Sequence, residues 1–157
     1  MWEPVIEEMK KEGINIELIS FTDYGTPNRA LDNGETDLNA FQHYAYLNSE
    51  VESHGYDITS IGDTFISAMN IYSDKISDVS EISDGGKIAV PNDATNEGRA
   101  LKVIEAAGLI EIDPAAGDSP ELKDIVSNPL NLEFVEVDAG NVYALLPDVT
   151  AAVINCN

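Results

Sequence analysis

The stretch KIAVPNDATNEGRALKVIEAAGL, residues 87–109, decides how the rest of the chain is read. It opens as a short apolar run, Ile88-Ala89-Val90, which Pro91 stops. A polar turn follows, Asn92-Asp93-Ala94-Thr95. From Asn96 the period becomes helical: Ala100, Val103, Ile104 and Ala107 share one face, and Gly108 ends the pattern. A strand, a tight turn and a helix N-terminus in that order gather backbone N–H groups at one spot, where the helix dipole adds partial positive charge. Arg99 is expected in the first helical turn, against the sign of that dipole. The expectation is a carboxylate-binding corner. The plain alternative is a solvated helix arginine paired with Glu97 or Asp93.

Outward from this unit, the same alternation continues. Residues 4–12 read as a helix, with Pro4 in its first turn and Gly13 as its stop. Residues 14–21 are β-rich and predict a strand. Thr26-Pro27 has the pattern of a cap followed by proline, predicting a short helix that ends near Gly34. A short strand is expected over 37–40 and a helix over 41–53. Residues 59–72 are β-rich and too long for an ordinary strand, so they are expected to pass from one sheet to another. Short helices are expected over 78–83 and 140–146, and a helix over 120–127 opened by Ser119-Pro120. Residues 132–137 and 151–154 read as strands. Strands alternating with helices predict an α/β architecture with mainly parallel sheets.

Charge narrows the partners. The 157 residues include 8 Lys and Arg against 29 Asp and Glu, a formal charge of -21. Phosphate contacts need a basic patch, so nucleic acid is not an expected partner. Adhesion to an anionic bilayer through charge is excluded on the same ground. Self-repulsion on this scale fits a surface adapted to high salt or an acidic protein at ordinary salt, and both readings stand. Cys156 is alone, so no intrachain disulfide can form, and no base near it in sequence marks it as a nucleophile. No apolar run is long enough to span a membrane. Met1-Trp2-Glu3-Pro4 leads into an acidic amphipathic segment rather than a signal peptide. The expectation is a cytosolic chain or one whose export segment was removed. Neither a GxxxxGK[ST] phosphate loop nor a GxSxG elbow occurs. His43 and His54 are the two histidines, without metal-ligand spacing, so no metal or cofactor is expected.

Three further stretches carry candidate chemistry. Asn39 opens NAFQHYAYL, which brings Phe41, His43 and Tyr46 together in a chain that is only 7% aromatic. Such a group can wall a small pocket that is apolar with a few aimed polar groups, or it can be core packing around a structural histidine. Asp23-Tyr24 follow the strand expected over 14–21, and α/β folds bind ligands in loops at strand carboxyl ends. Asn155 and Asn157 flank Cys156 after the last strand, and an asparagine amide can hold both an ammonium and a carboxylate.

These residues stand in a recognisable order. DYGTPNRAL (23–31), GETDLNAFQHYAYL (34–47), IYSDKI (71–76), IAVPNDATNEGRAL (88–101), AGLI (107–110) and AAVINCN (151–157) resemble the methionine-binding lipoprotein family, the NlpA-type substrate-binding proteins of ABC importers. The resemblance implies a periplasmic-binding-protein fold of the second type, two α/β lobes joined by a hinge with the ligand between them. It would assign residues 1–66 to the first lobe, 67–154 to the second and 155–157 to the second hinge crossing. The first lobe is then expected to lack its completing segment, and a lipid anchor is not expected in this chain. Carried over position by position, the ligand contacts would be Tyr24, Phe41, His43, Tyr46, Arg99, Asn155 and Asn157. Arg99 would clamp a methionine carboxylate, Asn155 or Asn157 would hold the amino-acid head group, and Tyr24, Phe41 and Tyr46 would line the thioether pocket, with His43 beside them. The implied function is extracytoplasmic capture of L- or D-methionine and delivery to an ABC permease. A binding protein for another small amino acid or a short peptide, or an enzyme on the same fold, is the alternative. Arg99 would meet its aromatic partners fully only on lobe closure.

Overall fold

The computed structural model describes residues 2–155. Its centre is the unit from which the sequence was read. Strand β2 (Lys87–Pro91) is buried at every position after the first, as a strand covered on both faces must be. It pairs in parallel with β5 (Glu133–Val137) on one side and with β6 (Ala151–Ile154) on the other. Strand β1 (Asn70–Tyr72) adds antiparallel to the free edge of β6, giving the order β1-β6-β2-β5. Pro91 has no N–H to give a ladder, and it stands at the last position of its strand.

Strand alternation divides the core. Ile88 and Val90 face helix α4 (Ala94–Ala106) and meet Leu101, Ile104 and Val153. Ala89 and Ala152 face the other way, where a 3-10 segment, Ala139–Leu145, covers them with Val142, Leu146 and Val149. Burying side chains such as Leu101 or Ile104 fully is worth about 1.5–3 kcal/mol each. Gly98 lets α4 approach the 119–120 backbone: a Cβ there would stand 2.8 Å from Ser119 Cα. The result is a sheet with helical cover on both faces, and its parallel strands β2 and β6 end toward one side of the sheet.

The preceding part of the chain carries α1 (Glu3–Lys11), α2 (Gly25–Asp32) and α3 (Tyr44–His54). Here several expectations fail. The strands predicted over 14–21 and 37–40 do not form, and Ile14, Leu18, Ile19 and Leu38 stay exposed. β-propensity becomes a strand only when another backbone pairs with it, and no described segment does so. Of the long β-rich stretch only Asn70–Tyr72 pairs, because β6 offers a ladder just there. The helix expected over 120–127 is a single 3-10 turn, Leu122–Asp124, followed by strand β4 (Ile125–Ser127). The Asp124 carboxylate accepts the Glu121 N–H and closes that turn, after which Ile125 and Ser127 pair with Ile112 and Glu111 of a two-residue strand, β3 (Glu111–Ile112), that was not expected. Helix α2 starts at Gly25 rather than after Thr26: the Asp23 carboxylate accepts the Thr26 N–H, and the Thr26 hydroxyl, expected to cap, donates to the same carboxylate. Among the described residues no helix is long and apolar enough to cross a membrane.

Candidate functional site

The site lies where β2 and β6 end and the 39–46 segment crosses in front of them. Helix α4 begins two residues earlier than its periodicity suggests, because Asp93 is its N-cap. One Asp93 carboxylate oxygen accepts the Asn96 N–H and the Thr95 hydroxyl, and both oxygens accept from Asn96 Nδ2 at 3.0 and 2.9 Å. The helix N-terminus is thus occupied by the chain's own carboxylate. Arg99 falls in the second turn, not the first, so the argument from a misplaced charge on the dipole does not hold. Arg99 instead stands one turn beyond Asn96 on the same face and donates Nη1 to Asn96 Oδ1 at 3.0 Å.

Asn96, buried at 1% exposure, is the hub. Its Oδ1 also accepts from Asn155 Nδ2 at 2.8 Å and lies 3.1 Å from His43 Nε2. His43 Nδ1 accepts the Tyr46 N–H and thereby caps α3, so the imidazole proton sits on Nε2 and points at Asn96. Three donors from three segments share one carbonyl oxygen that offers two lone-pair directions. Donor capacity at this point exceeds what the chain's own acceptors use. The reverse holds for Asn155 Oδ1, which is buried and has no hydrogen-bond partner among the described residues.

Beside the hub stands an aromatic wall. Tyr24, Phe41 and Tyr46 meet edge to face, with ring centroids 6.0–6.3 Å apart, and His43 meets Tyr46 in the same manner at 6.3 Å. Each such pair contributes about 0.5–1.5 kcal/mol beyond its buried area. The wall, Arg99, Asn96 and Asn155 line one cleft of about 410 Å³. Burial pushes the Tyr46 phenol well above its ordinary range, and the carboxylates of Glu50, Asp93, Asp138 and Asp23 push it further, so its O–H stays a donor. Burial holds the His43 imidazole below its ordinary value, with Arg99 acting the same way and Asn96 and Asp93 pulling against it. Hydrogen bonds from Thr26 N–H and Oγ1 hold the Asp23 carboxyl below its ordinary value.

Six of the seven predicted residues therefore share one cleft, and Asn157, like Cys156, lies outside the described residues. Asn96 joins Arg99 to the aromatic wall through His43. The cleft carries both signs of charge, the Arg99 guanidinium on Asn96 and the carboxylates that act on Tyr46. Among the described residues no group of three or more His, Cys, Asp or Glu is placed to hold a metal ion.

The chain matches the NlpA lipoprotein family over residues 1–157. It belongs to that family. It is 43% identical over 146 residues to a probable D-methionine-binding lipoprotein MetQ of Vibrio cholerae, covering 93% of this chain and 54% of that protein. The chain thus spans about half the length of the curated relatives it matches. A nutrient-binding protein from Burkholderia cenocepacia, solved bound to methionine, superposes with a TM-score of 0.91 at 43% identity, over 98% of this chain and 66% of that one. The substrate-binding protein of a methionine transporter from Streptococcus pneumoniae gives 0.92 at 44% identity, over 98% and 62%. The chain thus shares the mixed α/β fold of these substrate-binding proteins over the part of them that it covers.

Asn96 was not among the residues singled out for binding. An asparagine in the first turn of a helix usually serves local capping, and nothing in the composition separates it from Asn92. The spacing Asn96-x-x-Arg99 within the family-like stretch was the available signal, since it places both side chains on one helical face.

Proposed function

We infer that this chain forms the cleft of an extracytoplasmic substrate-binding protein that captures methionine and hands it to the permease of an ABC importer. One observation carries the reading. Arg99, Asn155 and His43, whose donors converge on one acceptor, line the same cleft as three edge-to-face aromatics, and beside them Asn155 Oδ1 is a buried acceptor without a partner among the described residues. Donors beside a buried acceptor suit the carboxylate and ammonium of a free amino acid, and aromatic edges suit a thioether. The relatives cited above, a probable D-methionine-binding lipoprotein, a nutrient-binding protein solved with methionine and the substrate-binding protein of a methionine transporter, support the same ligand.

In this reading the Arg99 guanidinium takes the carboxylate through its planar fork. Asn155 Oδ1 accepts from the ammonium, and Asn157 assists from the same chain crossing. Tyr24, Phe41 and Tyr46 hold the side chain, where sulfur–aromatic contact adds about 0.3–1.5 kcal/mol. His43 positions the wall against Asn96. Residues 1–66 form one lobe and 67–154 the other, with 155–157 as the second crossing. The antiparallel pairing of Asn70 with Ile154 supports this, because it sets two chain crossings side by side. Closure follows from a higher ligand affinity of the closed form. The role is binding without turnover, and the family's lipoprotein description supports attachment to the outer face of a membrane through a lipid anchor.

Titration calorimetry with L- and D-methionine tests the reading. Heat with methionine and a loss of about a hundredfold or more in affinity for Arg99→Ala are expected, since two charge-assisted hydrogen bonds go. No heat with methionine, or preference for another amino acid or a short peptide, would refute the ligand. Undiminished affinity in Arg99→Ala would refute the clamp.

A further inference from the structure

Gln42 lines the cleft between Phe41 and His43, a polar side chain in a wall that otherwise presents aromatic edges. Its amide is engaged elsewhere. Gln42 Nε2 donates to Asn28 Oδ1 at 2.6 Å, and Gln42 Oε1 accepts from Asn28 Nδ2 at 2.9 Å. Asn39 Nδ2 adds a third bond to Asn28 Oδ1 at 3.1 Å. Asn28 projects from α2 and is fully buried, at 0% exposure. Burying an amide is costly unless it is satisfied, and a leucine at this position would avoid the cost. The reciprocal pair ties one N–H and one lone pair of the Gln42 amide to one buried partner, which fixes the amide and keeps it from turning toward a ligand side chain.

We propose that Asn28 is a specificity-determining, positioning residue: by holding both ends of the Gln42 amide it keeps that amide from hydrogen-bonding a ligand's side chain, and so biases the cleft toward apolar side chains over amide-bearing ones. The inference rests on the reading of the cleft as an amino-acid site. Asn28 touches no ligand and acts only through Gln42. A site whose free polar groups hydrogen-bond a polar side chain discriminates against the apolar analogue, and pairing those groups within the protein removes that discrimination.

Calorimetry with methionine and glutamine, on the wild type, Asn28→Leu, Gln42→Leu and the double variant, tests it. The freed Gln42 amide in Asn28→Leu narrows the preference for methionine over glutamine by about tenfold, the worth of one or two hydrogen bonds. The double variant, with no amide to free, returns the ratio to within about twofold of the wild type. Gln42→Leu alone leaves it there also. A merely structural Asn28 would lower the melting temperature and leave the ratio unmoved. A folded Asn28→Leu with the wild-type ratio, or a Gln42→Leu that shifts it, overturns the proposal. If Asn28→Leu does not fold, Asn28→Asp keeps the volume and both accepted bonds but withdraws the donor from Gln42 Oε1. It should shift the ratio the same way by about threefold, and an unchanged ratio there is equally fatal. A wild type that binds neither amino acid overturns the amino-acid reading itself, whereas normal methionine binding with unmoved ratios overturns the role of Asn28 alone.

Discussion

Replacing Asn96 by aspartate tests the hub without changing its shape. Oδ1 and its three donors are kept, and only Nδ2 becomes oxygen. That atom now donates to both Asp93 oxygens, at 3.0 and 2.9 Å. Two hydrogen bonds to a carboxylate are lost, worth about 1.5–3 kcal/mol each. Two carboxylates about 3 Å apart also repel by roughly 5 kcal/mol at an effective dielectric constant near 20, as a ceiling. Against this, Arg99 Nη1 and Asn155 Nδ2 bond the introduced charge more strongly, and Arg99 returns a Coulomb energy of the same order as the repulsion. The net expectation is a destabilisation of about 2–4 kcal/mol at pH 7, a fall of about 5–15 °C in Tm for a chain of this size.

The pH dependence separates this mechanism from a general loss of packing. Two facing carboxylates raise the pKa of one of them in the folded state. The folded form then binds more protons than the unfolded form over the interval between the two values, so stability falls as pH rises through it. The penalty of Asn96→Asp must therefore be smallest near pH 4 and largest at neutrality. Thermal melts of both proteins across that range decide the matter. A Tm within about 2 °C of the wild type at pH 7, or a penalty that grows on acidification, would show that Asn96 does not donate to Asp93 as described.

The His43 imidazole, held below its ordinary value of 6.5 by burial, binds protons more weakly folded than unfolded, so stability is lost as pH falls from about 6.5 toward its depressed folded value. His43→Asn, which retains a capping acceptor for α3, should flatten the Tm slope over that window relative to the wild type; equal slopes would place the titration elsewhere. Gly140→Ala should cost about 1–3 kcal/mol, because its Cβ would meet the Thr22 carbonyl oxygen at 2.9 Å, a backbone atom that cannot swing aside. If Gly140 and Thr22 stand on the two lobes proposed above, methionine affinity should fall with the melt, and a variant with both unchanged would refute the contact.

How much could be read in advance depended on the range of the interactions. Strand β2 and helix α4 were legible because an apolar run stopped by proline, a polar turn and a helical stripe are all local. The helix start moved by two residues for a local reason too: Asp93 and Asn96 are both capable caps, and composition cannot rank them. The strands expected over 14–21 and 37–40 failed for the opposite reason. Their β-propensity is local, but a ladder needs a partner backbone, and that is a property of the whole fold. Phe41, His43 and Tyr46 were found because aromatic residues are scarce in this chain, whereas Tyr24 was picked as a loop residue after a strand that does not form. Asn96 was not, because its three donors come from positions 3, 53 and 59 residues away. The Asn28–Gln42 pair is invisible in the same way, being made of two common polar residues on separate segments.

The charge of -21 and the cleft belong to one argument. A field of that sign raises the cost of bringing any simple anion to Arg99, whatever the local geometry offers. A zwitterion does not meet that cost, since its ammonium is drawn by the same field that opposes its carboxylate. Inside the cleft the arrangement repeats at short range. The carboxylates of Glu50, Asp93, Asp138 and Asp23 all act on Tyr46, while Arg99 and Asn155 donate to Asn96. Long-range selection fades beyond a Debye length of about 8 Å at physiological salt, but the buried pairings do not. If the cleft takes an amino acid as proposed, its discrimination against the deaminated acid in screening salt should therefore rest on the acceptor Asn155 Oδ1 and the carboxylates near Tyr46.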